Sequence, residues 1–199
     1  MNLKWTATGD RKDDSIDNIP SLLNSLIGPR PVVLIGTQSD GDGNNLAIFN
    51  TFQPLGSSPP IFSVLIRPLD QSRHTYENMK TQKEWTVNFI RPEWVKAAHQ
   101  TSRHLPKKES EFDSEVLMHE AKVGISAPFV KEAPIQMHFT WLREIAIPEN
   151  GTRLVLGQLR QLWTKIDLDL DQRLDFEKFP VLSSWGLSHY THGKEVTAI

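Results

Sequence analysis

A mainly β architecture, a β-barrel carrying a few short helices, is what this sequence of 199 residues predicts. Three observations predict it. At least six segments carry strand patterns, either apolar–polar alternation or short β-branched runs. Two turn clusters, Ser39-Asp40-Gly41-Asp42-Gly43 and Pro148-Glu149-Asn150-Gly151, each sit between two such segments. The helical patterns are short and do not alternate with strands in the manner of a doubly wound sheet.

Taken along the chain, a short helix opens at Pro20, with Ile19, Leu22, Leu23 and Leu26 on one face and Gly28 as its stop. Val32 to Gln38 reads as a strand buried on both faces, the Asp-Gly turn follows, and Asn45 to Gln53 is its return strand. After the Pro59-Pro60 step comes a strand from Ile61 to Ile66. Asp70 to Thr81 is helical, with Asp70 or Ser72 as N-cap and Tyr76 and Met79 facing inward. Trp85, Val87 and Phe89 alternate with Thr86 and Asn88, the mark of a half-buried strand. Pro92 begins another helix through Trp94, Val95 and Ala98. Ile135, Met137, Phe139 and Trp141 alternate with Gln136, His138 and Thr140, and Thr152 to Trp163 runs back along that strand. The charged stretch from His104 to Glu115 reads as an exposed loop, and residues 1–18 as an N-terminal extension of a single domain over 1–199.

Composition narrows the chemistry. Twenty-two Lys+Arg against 24 Asp+Glu leave a net charge of −2, which offers no global attraction to nucleic acid or an anionic membrane. The longest aliphatic run, Val32 to Ile35, falls far short of the roughly 20 residues of a membrane span. The polar N-terminus lacks the apolar core of a secretory signal, so a cytoplasmic setting is expected. With no cysteine in the chain, disulfides, thiolate metal sites and Cys nucleophiles are excluded.

Several patterns fail on inspection. Asp167, Asp169, Asp171 and Asp175 imitate a calcium loop, but Gln172 replaces the turn glycine and Lys178 the bidentate carboxylate. His189 and His192 are two imidazoles without a third ligand, so no metal is expected. There is no nucleophile elbow and no P-loop, and Gly41-Asp42-Gly43 lacks the third glycine of a dinucleotide fingerprint.

The informative run is Gly28 to Ile90. Pro29-Arg30-Pro31 precedes the first strand, and Asn45 to Phe52 reads N-L-A-I-F-N-T-F. Pro59-Pro60, then Arg73-His74-Thr75 with Asn78, then Val87-Asn88-Phe89 follow in order. In this order the segments resemble the flavin reductase-like family, the FMN-binding split barrels that include flavoredoxin. That family's pattern is P-R-P, N-L-A-P-F-S-x-F, P-P, K-D-T with Asn three residues on, and V-V-N. Ser110 to Asp113, Lys131 to Ile135, Leu154 to Gln158 and Gly186 to Tyr190 match later family segments. The resemblance covers roughly residues 20 to 190 and implies a split barrel, bound FMN and a homodimer.

It also implies a site. FMN presents a dianionic phosphate, a polar ribityl chain and a flat ring. Arg73 and Thr75, at a helix start, offer a guanidinium and a hydroxyl beside free backbone N–H groups. His74 replaces the family's acid, which favours an anion. Asn50 and Thr51 are placed to donate to ribityl or phosphate oxygens, while Asn45, Ala47 and Phe49 border the ring. Phe52, Arg67 and Asn78 complete the implied set. Phe49 and Phe52 also have a plain reading as core residues, and Asn78 and Arg73 as helix surface.

The resemblance departs at one turn. Two-component flavin reductases carry a G-D-H segment whose His faces nicotinamide, whereas this chain has Pro148-Glu149-Asn150-Gly151-Thr152. Three functions are therefore expected to compete. The first is an FMN-dependent oxidoreductase drawing on NADH or NADPH and reducing free flavin, a small acceptor or a redox partner protein. The second is a flavoredoxin-like FMN electron carrier without pyridine-nucleotide activity. The third is a split-barrel ligand-binding protein that has lost flavin.

Overall fold

The computed structural model describes residues 19–41, 43–69, 72–106, 109–113, 115–167 and 182–192. The elements begin with α1 (Ile19–Leu26), β1 (Arg30–Pro31), β2 (Val33–Ser39), β3 (Gly43–Phe49), β4 (Phe52–Ser57) and β5 (Pro60–Ile66). Next come α2 (His74–Gln82), β6 (Glu84–Phe89), a 3-10 turn at Pro92–Trp94 and α3 (Val95–Gln100). A second 3-10 turn, Glu111–Asp113, leads to β7 (His119–Lys122) and β8 (Ile125–Val130). The long hairpin β9 (Ile135–Ile147) and β10 (Thr152–Thr164) precedes β11 (Leu182–Trp185) and β12 (His189–His192).

Seven strands form one sheet in the order β3-β2-β6-β9-β10-β5-β4. All six of its pairings are antiparallel. β3 and β4 are the two outermost strands, yet only Asn50 and Thr51 separate them in the chain. A link of two residues spans no more than a few ångströms, so the sheet must curl until its edges meet. The result is a barrel split along the seam at Asn50-Thr51. β1, β11 and β12 form a small sheet beside that seam, and β7 and β8 a separate hairpin.

The barrel interior is an apolar core that includes Val33, Ile35, Phe52, Val64, Trp85, Val87, Phe139 and Val155. Phe52 stacks on Phe62 with ring centroids 5.0 Å apart, and both meet Phe139 edge-on. Gly157 is required there, because a Cβ at that position would enter the Trp85 indole. Outside the barrel wall, Val32, Leu34, Leu46 and Ile90 pack with Ala98, Phe112 and Leu117 into a second core.

Several expectations need correction. The return strand is two strands, β3 and β4, broken at Asn50-Thr51 where the chain crosses from one sheet edge to the other. Thr86 and Asn88 are fully buried rather than solvated, because β8 covers the outer face of β6. There Asn88 Nδ2 donates to the Leu34 carbonyl and Asn88 Oδ1 accepts from Val130 N. Helix α2 starts at His74, with Arg73 at the N-cap position and no side-chain cap. Asp70 lies outside the described residues, and Ser72 Oγ donates instead to Glu77. The stretch after His104 is not simply exposed: Phe112 is buried and Glu111 is bonded to β3. On α1, Leu23 and Leu26 are exposed. Residues 1–18, Asp42 and the Asp169, Asp171 and Asp175 positions also lie outside the described residues.

Candidate functional site

The seam opens into a cavity of about 770 Å³. Its floor is β3, from which Asn45, Ala47 and Phe49 reach it, with Ile48 beside them. Leu65, Ile66 and Arg67 enter from the end of β5, and Ser72, Arg73, His74, Thr75 and Tyr76 from the start of α2. The structure thus brings together Asn45, Ala47, Phe49, Asn50, Thr51, Arg67, Arg73, His74 and Thr75 at one cavity wall.

Two implied residues stand elsewhere. Phe52 is buried in the barrel core. Asn78 is buried one helical turn below Thr75 and donates through Nδ2 to Thr37 Oγ1 at 3.1 Å. Both support the cavity wall from behind rather than lining it. Their positions follow from periodicity, since strand alternation turns Phe52 inward and helical spacing turns Asn78 onto β2.

Hydrogen bonds already made decide which donors remain. Asn45 Nδ2 donates to Thr37 Oγ1 at 3.1 Å and to Thr75 Oγ1 at 3.0 Å, so both of its amide protons are committed. Asn50 Nδ2 donates to Ser184 Oγ at 3.0 Å and to the Gly186 carbonyl at 3.1 Å. Its amide therefore pins the β11–β12 hairpin. Thr51 Oγ1 gives its proton to the Leu65 carbonyl at 3.0 Å. Thr75 differs: its oxygen accepts from Asn45, and its own proton is left to donate.

The α2 end of the cavity suits an anion. The first-turn N–H groups of His74, Thr75 and Tyr76 have no acceptor within the helix, and the helix dipole places partial positive charge there. Arg73 Nε reaches the Pro68 carbonyl at 3.3 Å, which holds the guanidinium near the helix start. Arg67 is exposed in the same wall. β3 adds backbone donors, because an edge strand turns alternate N–H groups away from its neighbour. Leu46 N, one of these, is bonded to Glu111 Oε2 at 2.9 Å, and Ile48, next in that series, faces the cavity.

Behind this end, Tyr76 donates to Glu144 Oε2 at 2.7 Å, and Arg153 Nη1 donates to Glu144 Oε1 at 3.0 Å. Burial alone would raise the Glu144 pKa, but the Tyr76 hydrogen bond with Lys80 and Arg153 hold it below the ordinary 4.5.

The opposite wall holds residues outside the implied site: Arg30, His99, Arg103, His104, Ser184 and Tyr190. His99 Nδ1 lies 2.7 Å from the Tyr190 hydroxyl, and burial raises the pKa of that phenol. Two of them had a signal, Arg30 within Pro29-Arg30-Pro31 and Tyr190 as the last residue of the Gly186–Tyr190 match.

A model of the flavin reductase like domain matches residues 27–179, three-quarters or more of the chain. This chain belongs to the flavin reductase-like family. A candidate flavin reductase with a split barrel domain from Shewanella frigidimarina superposes with a TM-score of 0.84 at 30% identity, covering 90% of each chain. Nitrilotriacetate monooxygenase component B from Bacillus cereus superposes at 0.85 with 24% identity over 100% of both chains. An FMN-binding protein from Thermus thermophilus, in a structure with bound 1-cyclohex-2-enone, superposes at 0.75 with 17% identity over 100% of this chain and 99% of that one. The fold of this family member is thus the split barrel, and β3, the seam and the start of α2 fall inside the matched domain. Among the described residues, no helix is long and apolar enough to cross a membrane.

Proposed function

We propose that this family member is an FMN-binding oxidoreductase, with the phosphate of FMN at the start of α2 and the ring along β3. One observation carries the reading: a single cavity joins an anion-binding end to an apolar strand face. Thr75, Arg67, Arg73, His74 and the first-turn N–H groups supply the first, and Ala47, Ile48 and Phe49 the second. Such a polarity gradient fits a flat ring bearing a phosphate. When bound, the flavin would supply hydride and electron transfer, chemistry that no side chain here can perform.

The residues then have separable tasks. Thr75 donates its uncommitted hydroxyl proton to a phosphate oxygen, and Asn45 holds that hydroxyl in place. Arg67 and Arg73 neutralise the phosphate charge. Asn50 and Thr51 hold the seam open and position the hairpin, their side-chain donors being spent within the protein. An NADH or NADPH donor, a small acceptor, free flavin or a redox partner protein, a cytoplasmic setting and a homodimer complete the proposal. The exposed Leu26 and Ile27 offer apolar surface for pairing, which the solution mass would test.

A second reading is an FMN electron carrier that does not itself oxidise pyridine nucleotide. The β9–β10 turn favours it: the turn is closed by Asn150 Oδ1, which accepts from Thr152 N and Thr152 Oγ1, and it contains no histidine. The ultraviolet–visible spectrum of purified protein tests the shared claim. Flavin bands that persist through gel filtration are expected, and apo-protein that takes up no FMN in excess would sink both readings. Anaerobic mixing with NADH and NADPH then separates them, since bleaching marks the oxidoreductase and an unchanged spectrum the carrier.

A further inference from the structure

The cavity holds more anion-binding side chains than one flavin phosphate uses. Four arginines (Arg30, Arg67, Arg73 and Arg103) and three histidines (His74, His99 and His104) line it. Among the described residues its one carboxylate is Glu111, which accepts the Leu46 N–H. This concentration sits in a chain whose net charge is −2. Among the described residues, no lysine lines the cavity. Arginine in place of lysine favours planar, two-pronged binding of carboxylate or phosphate.

The arginines and histidines divide between two walls. Arg67, Arg73 and His74 belong to the α2 end assigned above to the flavin phosphate. Arg30, His99, Arg103 and His104 belong to the wall built by β1, α3 and the segment after α3. Strand register orders that second wall. Arg30 on β1 is paired with Ser184 on β11, and Ser184 with Tyr190 on β12. Residues directly paired across antiparallel strands project from one face, so Arg30, Ser184 and Tyr190 form a row. The row ends at His99, bonded to the Tyr190 hydroxyl at 2.7 Å. Within it, Arg30 Nη2 donates to the neutral Asn24 Oδ1 at 2.8 Å, while Arg30 Nε is buried with no hydrogen-bond partner. A buried guanidinium N–H without an acceptor is costly to keep, and an anion entering from the cavity would satisfy it.

We propose that the row Arg30–Ser184–Tyr190, with His99, Arg103 and His104, is a second anion site that holds the carboxylate or phosphate of an organic reaction partner beside the flavin. The proposal rests on the flavin reading only for what occupies the α2 end. The anion has two possible sources, the phosphates of a pyridine nucleotide or the carboxylate of an organic acid.

Isothermal titration of the FMN-loaded protein and of the apo-protein tests it, with benzoate, neutral benzamide, NADH and NADPH as probes. At least one anionic probe is expected to bind, tighter at low salt, and benzamide at least tenfold more weakly than benzoate where benzoate binds. Binding of NADH or NADPH without benzoate assigns the nucleotide phosphates, and the reverse assigns an organic acid. The exposed pair Arg103→Ala with His104→Ala, and separately Arg30→Gln, should each weaken that anion at least tenfold while the flavin spectrum is retained. Absence of binding by every anionic probe, equal affinity for benzoate and benzamide, or unchanged affinity in both variants would overturn the proposal. Failure of the wild-type protein to take up FMN defeats the flavin reading alone, since the apo-protein titration still decides the anion site.

Discussion

Asn45 on β3 donates an amide proton to the Thr75 hydroxyl oxygen across 3.0 Å, tying the edge of the barrel to the first turn of α2. With its oxygen accepting from Asn45, the Thr75 hydroxyl keeps its own proton to donate, which the proposed function gives to the flavin phosphate. Hydrogen bonds to charged groups contribute about 1.5–3 kcal/mol, which corresponds to roughly 10- to 150-fold in affinity. Thr75→Ala should therefore weaken FMN binding by about that factor, and Thr75→Ser should largely preserve it. Quenching of flavin fluorescence on titration with apo-protein measures both. Equal affinities for the wild type and Thr75→Ala would remove Thr75 from the phosphate site.

Asn50 separates two roles that are easily confused. Its amide protons go to Ser184 and Gly186, so its first effect is on the β11–β12 hairpin. Asn50→Ala is expected to speed hydrogen exchange across 182–192 while leaving β9 and β10 protected. Mass-spectrometric exchange reads this directly. Unchanged exchange with a large loss of flavin affinity would instead mean that Asn50 contacts the ligand.

Glu144 makes stability depend on acid pH. Its folded-state pKa is lowered, because the Tyr76 hydrogen bond, Lys80 and Arg153 together outweigh the opposing effect of burial. The sign follows from linkage: a depressed carboxyl stabilises the fold above its unfolded pKa and loses that contribution as pH falls through the folded one. Glu144→Gln should therefore lower Tm at pH 7, with the gap to wild type narrowing as pH drops below the ordinary 4.5. A gap that stays constant from pH 7 to pH 3 would contradict the assignment.

Gly157 tests the packing of the barrel. A Cβ there would overlap the Trp85 indole, which is 1% exposed and stacks on Phe139 with centroids 5.7 Å apart. Overpacking of this kind costs about 1–3 kcal/mol, or roughly 2–12 °C in Tm for a chain of this size. Differential scanning calorimetry of Gly157→Ala provides the check, with Gly56→Ala as a comparison because no atom lies within 4 Å of a Cβ at that position.

Much of the strand pattern was legible because alternation depends on local chemistry alone. The β2–β3 hairpin, the start of β5, the inward Tyr76 and Met79 and the β9–β10 hairpin follow from apolar spacing and turn residues. The half-solvated reading of β6 did not hold, since alternation reports polarity and says nothing of a neighbour. Thr86 and Asn88 are polar yet buried, and only the arrival of β8 supplies the partners that permit it. The β7–β8 hairpin and the brief β1, β11 and β12 strands left no periodic signal, being too short for one to accumulate.

The sequence by itself determined the family, the strand framework and one wall of the cavity, since those motifs are contiguous runs whose spacing survives divergence. The tertiary structure decided which groups remain available for a ligand. Whether the proton of Thr51 or Thr75 is committed depends on a carbonyl or amide brought across the barrel from 14 or 30 residues away. The second wall was likewise decided by strand pairing: Arg30 meets Ser184, and Ser184 meets Tyr190, only because β11 runs between β1 and β12. Long-range register places those side chains together, and no local pattern in the chain encodes it.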